Sequence, residues 1–236
     1  AGVFAVLVGS VLLIARPWSG VTADSTPTPP PTDSLPFTGP IRLFDGQSLA
    51  GWHRVPNDAH PAWVIEKGIL LGRPFGGDQF LVSDREFGDI ELAVEYRWLK
   101  PGGHTTVVVR AGETNDPKNP LDGLLVNIGD DEGFPAVHGR PIGPLYQTGG
   151  IQKIRTASDA PCNKIGEWNL LKVRLKGHQI RVEHNDAMTV DVDLEDFVHK
   201  ANEIPGVSRL KGKVALLAHK PYGRIEFRSV VVSPVE

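Results

Sequence analysis

The sequence predicts an all-β fold, a two-sheet antiparallel sandwich or jelly roll, preceded by an N-terminal membrane-anchor helix. Three observations lead there. Apolar residues alternate with polar ones along many short stretches, glycine and proline punctuate those stretches with little helical periodicity between them, and the chain starts on an uncharged apolar run.

The alternation is clearest from Asp89 to Trp98. Ile90, Leu92, Val94, Tyr96 and Trp98 fall on one face, with Asp89, Glu91, Glu95 and Arg97 on the other, the pattern of a half-buried antiparallel strand. Residues 171–176 and 179–183 repeat it on either side of Gly177-His178, which reads as a hairpin. Residues 63–66 and 68–71 form a second hairpin, and 105–110, 124–128, 214–218 and 225–232 supply further strands. Only residues 194–201 read as helix.

Residues 1–15 carry no charge, and Arg16 and Trp18 follow, a cation and an indole suited to a membrane interface. The run is somewhat shorter than the roughly 20 apolar residues that span hydrocarbon, so further residues are expected upstream of Ala1. No neat small-x-small cleavage site follows, which favours an uncleaved anchor over a signal peptide. Ser25-Thr26-Pro27-Thr28-Pro29-Pro30-Pro31-Thr32 then predicts an extended polyproline spacer, because proline removes backbone donors and fixes φ. The expected organisation is an anchor helix at 1–18, a Pro/Thr-rich linker at 19–40 and a β-sandwich domain at 41–236, the domain lying in the periplasm or outside the cell.

The formal charge of −3 gives no reason to expect nucleic acid as a partner. Cys162 is the one cysteine, which excludes an intrachain disulfide and leaves stability to the core. The eight histidines are scattered and show no zinc-ligand spacing. Gly102-Gly103 and Gly149-Gly150 are turns with no helix after them, which excludes a phosphate loop. No cofactor is expected. Calcium is the one metal weighed, at Asp130-Asp131-Glu132 and in the loop Asn115-Asp116-Pro117-Lys118-Asn119; turn chemistry accounts for both segments without it.

Several segments together carry a resemblance. Leu43-Phe44-Asp45-Gly46-Gln47-Ser48-Leu49-Ala50-Gly51-Trp52 is followed, in order, by Trp63 with Lys67-Gly68-Ile69-Leu70, by Phe87-Gly88-Asp89-Ile90-Glu91-Leu92, by Gly166-Glu167-Trp168-Asn169, and by residues 213–219 with 225–230. Across residues 40–233 the chain resembles the 3-keto-disaccharide hydrolase family, which implies a concanavalin A-like jelly roll, export, and action on 3-keto-glycosides. Phe44, Trp52, Trp63 and Trp168 are expected as core anchors within these motifs, and Asp45-Gly46 as a turn.

The departures from the family pattern fall on its polar positions. The expected Asn-Ser-Gly is Gly102-Gly103-His104-Thr105-Thr106, with Arg110 retained at the strand's end. In the strand 123–130 a glutamate position holds Leu125 and a glutamine position holds Asn127, while Asp130 is kept; in the closing motif Leu217 replaces glutamine and His219 remains. The resemblance therefore leaves Arg110, Asp130 and His219 as remnants of a catalytic site, and His104, Asn127 and Tyr146 as residues able to contact a sugar. Glycoside cleavage draws on carboxylates for proton transfer, and leucine supplies none. The expectation is a non-catalytic accessory or scaffolding subunit of a respiratory, photosynthetic or transport complex, its partners integral-membrane subunits and the lipid bilayer. The alternatives are a 3-keto-glycoside hydrolase acting on keto-disaccharides and a carbohydrate-binding module, with carbohydrate as ligand.

Overall fold

The computed structural model describes residues 37–57, 61–73, 77–116, 119–219 and 223–235. The expected anchor at 1–18, with Arg16 and Trp18, and most of the linker lie outside the described residues; among those described, no helix is long and apolar enough to cross a membrane.

The domain is the expected two-sheet antiparallel sandwich. Its strands are β1 (Ile41–Arg42), β2 (Trp52–Val55), β3 (Trp63–Glu66), β4 (Ile69–Gly72), β5 (Gln79–Phe87), β6 (Ile90–Trp98), β7 (His104–Glu113), β8 (Leu121–Gly129), β9 (Asn169–Lys176), β10 (Gln179–His184), β11 (Ala187–Asp193), β12 (Gly212–Ala218) and β13 (Ile225–Pro234). One sheet runs β11-β10-β9-β6-β13-β4-β3 with β1 also on β13, and the other runs β2-β5-β12-β7-β8. Helix α1 (Phe134–His138) and three short 3₁₀ turns are the only helical pieces among the described residues.

Alternation explains why the sheets pack. Ile90, Leu92, Val94, Tyr96 and Trp98 are all buried against the second sheet, as their spacing predicts. Val107, Val109, Leu124, Val126, Ile128, Val214 and Leu216 face them from the five-stranded sheet in one apolar core. The register β9–β10 pairs Lys176 with Gln179 across Gly177-His178, the hairpin the sequence predicts. Close approach shapes one corner: a Cβ on Gly103 would lie 2.2 Å from the Trp98 ring, so only glycine lets β7 begin there.

Of the four aromatic anchors, Phe44, Trp52 and Trp63 are buried. Trp168 is not a core residue. It lies half-buried on the surface with the guanidinium carbons of Arg97 and Arg228 at 4.4 Å and 4.7 Å from its ring, in the short stretch between the turn at Gly166 and the start of β9 at Asn169. Asp45 makes the expected turn, its carboxylate accepting from the amides of Gln47 and Ser48 at 2.7 Å and 2.8 Å; those donors hold its carboxyl below the usual range.

Candidate functional site

The five-stranded sheet has a second face, turned away from the core. On β7 the residues alternating with Val107 and Val109 are His104, Thr106 and Val108. Register carries the same face to Asn127 and Leu125 on β8 and to Ala215 on β12, with Leu217 and His219 following in phase. Its middle is apolar, with Val82, Val108 and Ala215 buried. At one end the chain from α1 to residue 152 folds over this face, and a cleft of about 420 Å³ opens between them. Thr106, Leu125 and Leu217 form its floor, while Arg140, Tyr146, Gln152 and His219 reach it from the rim.

His104 is buried at the base of this cleft. Burial pushes its imidazole down to about 4, so the ring is neutral near pH 7, and Nε2–H donates to the Tyr146 carbonyl at 3.0 Å. The Tyr146 ring meets the imidazole edge to face, with centroids 6.1 Å apart. His104 thus pins the loop carrying Tyr146. Asn127 does similar work from fully buried space: its amide donates to the Leu145 carbonyl at 3.0 Å, and its Oδ1 accepts from Gln152 Nε2 at 2.8 Å. Tyr146 itself is exposed and lines the cleft.

His219, just past β12, lines the cleft with Nδ1 2.8 Å from Asp78 Oδ2. A carboxylate on one ring nitrogen fixes the tautomer and orientation of an imidazole, the arrangement of a positioned general base. Thr106 contributes a hydroxyl of another kind. The residue is 1% exposed, its Oγ1 is buried without a hydrogen-bond partner, and it sits on the cleft floor. No aspartate or glutamate lines the cleft among the described residues.

The three residues that the resemblance marks as remnants of a catalytic site do not assemble. Arg110 lies at a bulge where the β7–β8 register shifts between Val109 and Gly112, and its φ of 50° is left-handed. That turns the side chain off the cleft face toward the other sheet, where Nη2 donates to the Gly177 carbonyl in the β9–β10 turn. Asp130 is also outside the cleft lining; it accepts from the amides of Gly102 at 2.8 Å and Gly133 at 3.2 Å and so ties the β6–β7 turn to the start of α1. His219 alone of the three faces the cleft. Leu125 and Leu217 both line the cleft.

Both segments weighed for calcium are occupied by internal bonding. Asp131 accepts from the Thr148 amide and hydroxyl at 2.9 Å and 3.0 Å, and Asn119 donates to Asp116 at 3.3 Å. Among the described residues no three of His, Cys, Asp or Glu converge as metal ligands. Sequence reasoning missed Thr106, Arg140, Gln152 and Asp78. Thr106 was reachable, since it shares the alternation of His104; Arg140 and Gln152 sit in a loop with no period to read, and Asp78 opens a strand the pattern hides.

The fold and cleft define a class: an antiparallel jelly roll with a mixed polar and apolar depression on the outer face of one sheet. The chain belongs to the family of the 3-keto-alpha-glucoside-1,2-lyase-like domain, whose model matches residues 39–233. Among solved structures it is similar to a protein of Parabacteroides distasonis provisionally described as a glycosyl hydrolase, at 17% identity and a TM-score of 0.71, covering 84% of this chain and 95% of that one. A second protein so described, from the same organism, gives 21% identity and a TM-score of 0.66 over 83% and 99% of the two chains. A carbohydrate-binding module of Bacillus subtilis matches at 15% identity and a TM-score of 0.50 over 78% and 95%. At these identities the likeness shows the fold alone. No protein of curated function matches the chain.

Proposed function

We propose that the cleft binds a 3-keto-glucoside and that His219, oriented by Asp78, removes the C2 proton in an elimination across C1 and C2. One observation carries the reading: a histidine–carboxylate pair, with Nδ1–Oδ2 at 2.8 Å, lines a cleft that no aspartate or glutamate lines among the described residues. Hydrolysis by the usual glycosidase route uses two carboxylates flanking the bond, and Leu125 on the floor leaves that route without its groups. Elimination needs less. The C3 ketone acidifies C2–H, so one base suffices. The C2–H electron pair becomes the C1=C2 bond as C1–O breaks, and the leaving alcohol takes up a proton from the imidazolium or water. Thr106, Tyr146 and Gln152 supply donors for sugar oxygens, and the family's description as lyase-like agrees with this chemistry.

A second reading, sugar binding without turnover, is favoured by the apolar floor of Leu125 and Leu217. The accessory-subunit expectation rests on the anchor, and residues 1–18 with an extracytoplasmic domain stay part of this proposal on sequence grounds only.

The test is to incubate the full chain with a methyl 3-keto-α-glucoside and follow near-ultraviolet absorbance of the conjugated enone together with methanol release. Turnover is expected, reduced about 100-fold or more by His219→Ala and at least about tenfold by Asp78→Asn, with circular dichroism unchanged. Binding with no enone formed would replace this reading with the second, and an undiminished rate in His219→Ala would overturn the role of the base.

A further inference from the structure

Resting on the sugar-site reading, we infer that the natural ligand of the cleft is an acidic sugar, whose carboxylate or phosphate pairs with Arg140 while a sugar oxygen accepts the Thr106 hydroxyl. Two independent features point there. The first is charge. Arg140 is exposed at the rim, its guanidinium carbon 5.8 Å from the Phe134 ring, and it has no ion-pair partner among the described residues. The carboxylate attached to the cleft's lining, Asp78, is engaged by His219. The guanidinium lies near an aromatic ring, and its forked N–H groups suit a planar or tetrahedral oxyanion.

The second feature is Thr106. A buried hydroxyl without a partner costs free energy that a ligand oxygen recovers, and here the unpartnered Oγ1 sits on the cleft floor. The two groups divide the work: floor donor for the ring, rim guanidinium for the substituent. A neutral disaccharide would satisfy the first and leave the second solvated. The other polar group at the base, His104, is already bound to the Tyr146 carbonyl and shapes the loop.

Titration calorimetry of the full chain at low salt, with methyl α-glucoside, methyl α-glucuronide, glucose 6-phosphate and glucose 1-phosphate, tests this. At least one acidic sugar is expected to bind about tenfold or more tighter than the neutral one, the scale of a single charge-assisted contact. Which one wins separates carboxylate from phosphate and places the charge on the ring. The ratio should shrink toward one in Arg140→Gln and in 1 M NaCl, whereas Thr106→Val should weaken neutral and acidic ligands together by about tenfold and keep the ratio. Equal affinity of all acidic and neutral sugars, or a preference that survives Arg140→Gln, overturns the inference and leaves the sugar site standing. Failure of every sugar to bind also overturns the inference, while the 3-keto-glucoside reading stands or falls separately on the enone assay.

Discussion

Lowering the pH from 7 to 5 should destabilise the domain through two buried histidines. His184 is fully buried, its Nδ1–H donating to the Pro161 carbonyl at 3.1 Å and its Nε2 accepting from the Tyr96 hydroxyl at 2.9 Å. Burial pushes both His184 and His104 from 6.5 to about 4. The unfolded chain therefore takes up these protons near 6.5 while the folded one resists until about 4. Between those values the unfolded state binds more protons, and stability falls as the pH falls. From pH 7 to 5 each histidine loses about 2 kcal/mol and the pair about 4, a large part of a typical 5–15 kcal/mol. Asp131, its carboxyl raised by burial, works in the opposite direction, and Glu113, held low chiefly by its bond to Lys213, titrates below this window. Urea unfolding followed by tryptophan fluorescence at pH 7, 6 and 5 should show the midpoint fall by about 1–2 M. His184→Gln keeps an acceptor for Tyr96 and a donor for Pro161 without a titrating group, so its loss over the same range should be about 2 kcal/mol smaller. A wild-type loss below 1 kcal/mol, or one that His184→Gln leaves unchanged, would refute the argument.

Gly103→Ala should lower Tm by roughly 5–10 °C, the scale of about 2–3 kcal/mol of overpacking, because the new Cβ would meet Trp98 at 2.2 Å. Gly88→Ala, whose Cβ would find ordinary contact at 3.6 Å with Leu210 O, serves as the scanning-calorimetry control, and equal shifts would contradict the packing account. Burial pushes the Cys162 thiol up to about 12, so Ellman's reagent at pH 8 should label the folded protein about 100-fold more slowly than the urea-unfolded one; rates within tenfold of each other would show the thiol to be ordinary.

Strands with one wet face were legible in the sequence, because alternation records burial on one side only. β6 and the β9–β10 hairpin are of this kind, with every second residue buried. β5 is not: a continuous run of buried residues crosses its middle, since its outer face is covered as well, and no period survives to mark it. β11 had a readable turn before it, Asn185-Asp186, both residues left-handed at φ 47° and 66° as a two-residue hairpin loop requires. The site was harder. Motif position carried His219 to the cleft but could not carry Arg110, because a one-residue bulge reverses the side a side chain takes. The pairing of Asp78 with His219 joins residues far apart in the chain across neighbouring strands, and no local pattern announces such a contact.

The position of β13 bears on how the domain is made. It runs through the interior of its sheet, paired with β6 along Ile225–Pro234 on one side and with β4 and then β1 on the other. On a ribosome, β1, β4 and β6 emerge long before the strand that must lie between them. Until residues 225–234 are free of the exit tunnel, β4 and β6 present open ladder edges to the cell. Sheet closure must therefore follow synthesis of the last strand. A nascent chain stalled anywhere upstream of it should remain sensitive to protease and dependent on holding chaperones, however much of the core's sequence has already been made.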